Sequence, residues 1–213
     1  MKGIQGQGGI NWKLVEYTGH AEIKEAFILF TYTVDDQLSL KLIGHEDAEE
    51  LFQLSDQSRD HLRTWLPWID FTKTVEDTRG FIQSSLKRYA ENNGWTVCIL
   101  WEGRIAGIVD FHELDYNNKK TSIGYWMGEE FKGKGLLTRA CRELFDYAFH
   151  TLGMNRIEIR AAEQNEKSRA VPERLGFVEE GLIRSAALLY DEYTDHVVYG
   201  MLKKDWIKRT VDI

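Results

Sequence analysis

Cysteine and proline are scarce in this chain of 213 residues, which holds two of each. Cys98 and Cys141 lie inside apolar runs, so they do not make a disulfide framework; they read as small core residues in a reducing compartment. A run of about 18 apolar residues is lacking, and the N-terminus has neither the apolar centre nor the cleavage site of a signal peptide. The expectation is a cytoplasmic protein with no membrane partner. Positive charge is also in deficit, with a net charge of -7 and a pI near 5.4. That balance argues against general affinity for nucleic acid and suits a basic substrate. His and Cys are not spaced as metal ligands, so no metal is expected.

What is present is a core-forming composition, 43% hydrophobic and 12% aromatic, enough for one mixed domain without disorder. The chain is organised around Phe131-Lys132-Gly133-Lys134-Gly135-Leu136-Leu137-Thr138. Before it, residues 121–127 are rich in β-formers; after it, Leu137, Ala140, Cys141, Leu144, Ala148 and Leu152 recur at helical spacing. Strand, glycine loop and helix start form a seat for phosphate, because glycine lets the backbone approach an anion and the helix N-terminus offers free N–H groups. Lys132 and Lys134 add mobile positive charge. An ordinary turn would also use two glycines here. A nucleotide-hydrolase P-loop is excluded by spacing, and a dinucleotide loop by the missing third glycine.

Residues 1–29 open with a glycine and glutamine mixture, and Ala21–Phe27 suggests a short helix; this segment reads as an N-terminal extension of unknown role, with the domain proper at 30–213. Residues 38–43 alternate as a half-exposed strand, followed by a helix with an apolar stripe at Ala48, Leu51, Phe52 and Leu54. Trp65 and Trp68 flank Pro67 in an irregular connection, where they fill core, the commoner use of aromatics, or wall a substrate groove. A second helix spans Thr74 to Tyr89, with Val75, Thr78, Phe81, Ile82, Ser85, Leu86 and Tyr89 on one face. Strands at 95–101, 104–111 and from 121, joined at Glu102-Gly103 and at 115–120, predict an antiparallel meander. Arg156–Ala161 alternates as a strand, which places it parallel to the one before the loop. A short helix then runs from an Asn165 cap to a Gly176 stop, with Pro172 implying a late start or a bend. A hairpin turning about residues 190–193 and a polar tail at 203–208 complete the pattern.

This order of elements, with two motifs, resembles the GNAT acetyltransferase superfamily, in particular its ribosomal-protein-serine or -alanine N-terminal acetyltransferase branch. One motif is Ile123-Gly124-Tyr125-Trp126 feeding the glycine loop; the other is Asn165-x-x-Ser168 followed by Leu175-Gly176-Phe177. The resemblance runs from about Phe30 to Trp206 and implies an α/β fold with a mixed, mostly antiparallel sheet and helices on both faces. It implies acetyl coenzyme A as co-substrate, its pyrophosphate on Lys132, Gly133, Lys134, Gly135, Leu136, Leu137 and Thr138, and its acetyl arm near Trp126 and Met127. Lys132 departs from the family's Gln/Arg, and Leu137 from its Gly/Ala, so Leu137 can offer only its backbone N–H. Ser168 matches the branch's proton donor to the departing thiolate, or is a helix-start serine; Asn165 binds a coenzyme amide or caps.

The general base is less evident. Where one relative of this kind places a glutamate, the chain reads Ser185-Ala186-Ala187-Leu188. His112, beside Asp110 and Glu113, is the candidate to take the amine's proton, though a lone His at a strand end commonly has a structural role. The resemblance also suggests a homodimer. The expected reaction is acetyl transfer to a primary amine, most simply a protein N-terminus such as that of a ribosomal protein. Rival readings are an acetyltransferase of small amines (polyamine, aminoglycoside or toxic peptide) and a coenzyme-A-binding module without turnover.

Overall fold

The computed structural model describes residues 13–14 and 30–211. The expected helix at Ala21–Phe27 lies outside the described residues. Among the described residues nine strands form one sheet: β1 (Lys13–Leu14), β2 (Phe30–Thr33), β3 (Leu38–Leu42), β4 (Trp95–Trp101), β5 (Arg104–Asp115), β6 (Lys120–Met127), β7 (Arg156–Ala162), β8 (Val178–Leu189) and β9 (Glu192–Leu202). Their spatial order is β1-β2-β3-β4-β5-β6-β7-β9-β8, and every pairing is antiparallel except β6 with β7.

The helices are α1 (Ala48–Gln57), α2 (Arg59–Arg63), α3 (Val75–Ala90), α4 (Leu136–His150), α5 (Glu166–Leu175) and α6 (Lys203–Val211). Alternation along β4 shows how they are divided. Trp95 meets Tyr147 of α4, whereas its neighbour Thr96 bonds Ser85 of α3, so the two helices cover opposite faces. The core lies between them, with Phe111, Ile99, Phe145, Phe149 and Tyr199 almost wholly buried. Helix α4 supplies its apolar stripe at Leu136, Ala140, Cys141, Leu144, Phe145, Ala148 and Phe149. The meander and the β4–β5 turn match expectation: Glu102 and Gly103 both have positive φ, 51° and 81°, as the tight hairpin turn requires.

Five expectations need correction. Strand β3 is not half-exposed. Lys41 is 5% exposed, and its ammonium is held by Asp47 and by Glu46 at 2.9 Å, which compensates burial of the charge. On α3, Thr78, Ile82 and Ser85 are buried, but Phe81 and Tyr89 are exposed, because the sheet-facing stripe is narrower than the seven residues assigned to it. The Trp65–Trp68 connection follows α2 and runs into a 3-10 turn at Pro67–Asp70, and Trp68 is exposed rather than core. Pro172 lies inside a helix that begins at Glu166, not later. The segment after residue 203 is helix α6: Trp206 is buried against Phe145 and donates its indole N–H to Asp146 at 2.6 Å.

Candidate active site

The parallel pair β6–β7 is joined only from Lys120↔Arg156 to Ile123↔Ile159. Beyond that point β6 stays paired with β5 as far as Met127↔Gly107, while β7 stays paired with β9 as far as Ala162↔His196. The two strands therefore part at Gly124, leaving a fork whose inner edges carry backbone N–H and C=O groups. Trp126 and Met127, both half-buried, lie on one arm of this fork.

A 3-10 turn at Glu129–Phe131 leads from β6 into the glycine loop. Gly133 and Gly135 take φ of 77° and 70°, the left-handed region that makes glycine the suitable residue at both positions. Gly135 is the N-cap of α4, so the unpaired N–H groups of the first helical turn open beside it. Nothing would lie within 4 Å of a Cβ at either glycine, so the space over the loop is open. Leu136 is buried and Leu137 packs against the core, which leaves only their backbone N–H groups for an anion.

The two lysines are engaged rather than freely mobile. Lys132 pairs with Glu129 at 3.0 Å, and Lys134 rests over the rings of Phe131 and Trp101. Two basic residues missed in the sequence also approach. Arg139, on the first turns of α4, lies over Trp101 and binds Asp35. His61 of α2 is held below its ordinary pKa, first by burial and then by the charge of Lys132.

Across the fork, Asn165 caps α5: its Oδ1 accepts the Ser168 N–H at 3.1 Å. The cap occupies that oxygen and leaves the side-chain amide N–H₂ for other partners. Pro172 has no N–H for the carbonyl four residues earlier, which is that of Ser168. The Tyr125 hydroxyl donates to this carbonyl at 2.9 Å. Burial pushes the Tyr125 phenol well above its ordinary pKa, so it remains a donor. One hydrogen bond thus ties Ser168 to the β6 arm, and the proline that looked awkward in sequence makes that bond available.

On the α3 face, His112 is the extra residue of a bulge between Phe111↔Ile123 and Glu113↔Ser122. Its Nδ1 is 3.0 Å from Asp110 Oδ2, and its Nε2 lies over Gly124, where a Cβ would come within 2.4 Å. Gly124 is thus required for the ring to sit at the fork's apex. The same face carries Trp126, with Trp68 at 5.8 Å between ring centroids. The β8–β9 turn reaches over to α2, where the Tyr190 hydroxyl donates to the Arg63 carbonyl at 2.8 Å and the Arg63 guanidinium lies over the Tyr190 ring. The Trp68–Trp126 ring pair and this contact thus lie on the face of the sheet that carries His112.

The structure thus brings Ser168 and Asn165 together at the start of α5, tied to β6 through Tyr125, and places His112 separately, on the α3 face over Gly124. Asp110, Tyr125 and Pro172 are all visible in the sequence, but the contacts that give them a part in the site come from the fold.

Comparison with known proteins gives consistent results. The family model described as the acetyltransferase (GNAT) domain matches residues 37–178. YdaF of Bacillus subtilis (strain 168), named as a ribosomal N-acetyltransferase, is 41% identical over 179 residues, which is 84% of this chain and 98% of that protein. The ribosomal-protein-serine acetyltransferase of Escherichia coli (strain K12) is 27% identical, over 81% of this chain and 96% of its own. Among solved structures, the microcin C7 self-immunity acetyltransferase MccE in complex with acetyl-CoA and AMP superposes with a TM-score of 0.76 at 30% identity, covering 79% of this chain and 94% of that one.

Proposed function

The chain belongs to the GNAT acetyltransferases and is an acetyl-coenzyme-A-dependent N-acetyltransferase; from that premise we propose that its acceptor is the N-terminal amine of a protein, a ribosomal protein foremost. The observation that carries this reading is the fork at Gly124, from which β6 leads into the glycine loop, with the Trp68–Trp126 ring pair and His112 on the α3 face. The names of YdaF and the E. coli enzyme support a ribosomal target.

The coenzyme supplies an acetyl thioester; the chain's residues bind and orient it and move the protons. The N–H groups from Gly133 to Thr138 hold the pyrophosphate, with Lys132 and Lys134 as charge. The pantetheine arm lies along the open edges of β6 and β7, as an added strand would. Backbone N–H groups at 125–127 stabilise the oxyanion as the amine attacks. His112 takes the proton the amine sheds, directly or through water, and the Ser168 hydroxyl gives one to the departing thiolate. Solvent returns a proton to Ser168 and removes the one on His112, which closes the balance. Because both reactants are held in line, positioning supplies much of the acceleration.

The proposed setting is the cytoplasm, consistent with two buried free thiols whose pKa values burial raises. A second copy of the chain is the partner proposed for β8, a terminal strand of the sheet among the described residues, which exposes Val178, Leu182, Ile183 and Leu188. The test of the acceptor is thiol release from acetyl coenzyme A with Ser- and Ala-initiated peptides, spermidine and an aminoglycoside. Turnover confined to peptides is expected, with Ser168→Ala lowering kcat by about 10²-fold or more at unchanged coenzyme affinity. Turnover confined to the small amines would move the assignment to that class; coenzyme binding without turnover on any acceptor would leave a non-catalytic module.

A further inference from the structure

His112 is held in place by more than its neighbour in sequence. Asp110, 14% exposed, has every oxygen engaged: Oδ1 accepts from Arg88 at 2.8 Å and from the Thr96 hydroxyl at 2.8 Å, and Oδ2 meets His112 Nδ1 at 3.0 Å. Arg88, near the end of α3, also donates to the carbonyls of Phe111 and His112, at 3.4 Å each, and so braces the bulge itself. Burial acts to raise the Asp110 pKa, but the hydrogen bonds from His112, Arg88 and Thr96 outweigh it and bring it below its ordinary value. A carboxylate can only accept, so the ring nitrogen facing it must carry the hydrogen. In the neutral ring the other nitrogen is then bare, and it is the one that overlies Gly124 at the apex of the fork.

We propose that Asp110 is a positioning residue for acetyl transfer: fixed by Arg88 and Thr96, it holds neutral His112 as the Nδ1–H tautomer and presents Nε2 to the incoming amine. The inference rests on the reading of His112 as the base. In the step concerned, the amine nitrogen forms its bond to the acetyl carbon, the carbon–sulfur bond breaks, and the proton shed by nitrogen goes to Nε2. No proton passes to Asp110, which stays ionised and stabilises the imidazolium. An amide in its place could donate to Nδ1, which would put the hydrogen on Nε2 and remove the acceptor, with little change in shape.

The experiment pairs nitrogen-15 NMR of labelled histidine with steady-state kinetics, using acetyl coenzyme A and a Ser-initiated peptide. In the wild-type protein with its neutral ring, His112 should show a protonated Nδ1 and a bare Nε2; D110N should invert the pattern. D110N should also lose about 10²-fold or more in kcat, with KM for acetyl coenzyme A within about twofold and native melting behaviour. H112A should lose as much, D110N/H112A no more than either alone, and free imidazole should restore part of the H112A rate. Normal kcat in H112A would remove the base reading and this inference with it. A slow H112A beside a D110N of normal kcat and tautomer would keep the base and overturn the role of Asp110. Should D110N not fold, the wild-type spectrum decides, since a protonated Nε2 in the neutral ring overturns the proposal by itself.

Discussion

At Lys41 and Asp47, 5% and 8% exposed, two opposite charges are placed almost wholly inside the protein where β3 meets α1. Further partners are Glu46 at 2.9 Å from the ammonium, the Gly44 N–H, which donates to Asp47 Oδ2 at 2.8 Å, and the Cys98 thiol, 3.9 Å from the same oxygen. Burial acts to lower the Lys41 pKa, but the bonds to Asp47 and Glu46 outweigh it and raise the value, so the lysine stays charged. Removing one partner leaves the other charge buried without compensation. Lys41→Met is therefore expected to destabilise the fold by about 3–5 kcal/mol, and replacing both residues by apolar ones of similar size to recover most of the loss. Urea unfolding of the single and double variants checks this; equal stability of Lys41→Met and wild type would show that the pair does not hold β3 to α1. A strand pattern assigns Lys41 to the solvent side by polarity alone, and only the position of Asp47 above it makes burial tolerable.

Helix α5 shows how one element can serve another. An interior proline ordinarily weakens a helix, since it removes an N–H and crowds the preceding turn. Here the orphaned carbonyl of Ser168 is satisfied by Tyr125 of β6, so the defect becomes a tether between the two sides of the fork. Tyr125→Phe should cost about 1–3 kcal/mol, because the carbonyl is left unpaired. In a Pro172→Ala background, which restores a helical N–H to that carbonyl, the same change should cost measurably less. A double-mutant cycle by chemical denaturation reads the coupling, and strict additivity would rule out the tether. From sequence Pro172 implies a late start or a bend, because nothing nearby compensates it; the compensating hydroxyl lies 43 positions away in β6.

For the whole molecule, the sheet ends at β8, twelve residues long and exposed over most of its length. A terminal strand of that length with exposed Val178, Leu182, Ile183 and Leu188 is a template for pairing with another chain unless it is covered. With homodimerisation as the proposed cover, light scattering should give twice the chain mass, and Leu182→Lys should give a monomer that keeps its circular dichroism. A monomeric wild type would exclude the dimer and leave β8 to another partner or to bare solvent.

What the sequence by itself determined was everything carried by local pattern. Helical spacing after Gly135 gave α4, alternation and turn residues gave the meander, and glycine at 133 and 135 gave the loop whose positive φ the fold confirms. The two motifs also located Ser168 and the loop in a recognisable order. What depends on residues brought together from afar came only with the packed fold: the engagement of Lys132 and Lys134, the exposure of Trp68, and the alignment of Arg88, Thr96 and Asp110 behind His112. Spacing and propensity act over a few residues, so they fix elements. Burial, charge compensation and hydrogen-bond direction depend on what another element presents, and they are fixed only when the elements pack.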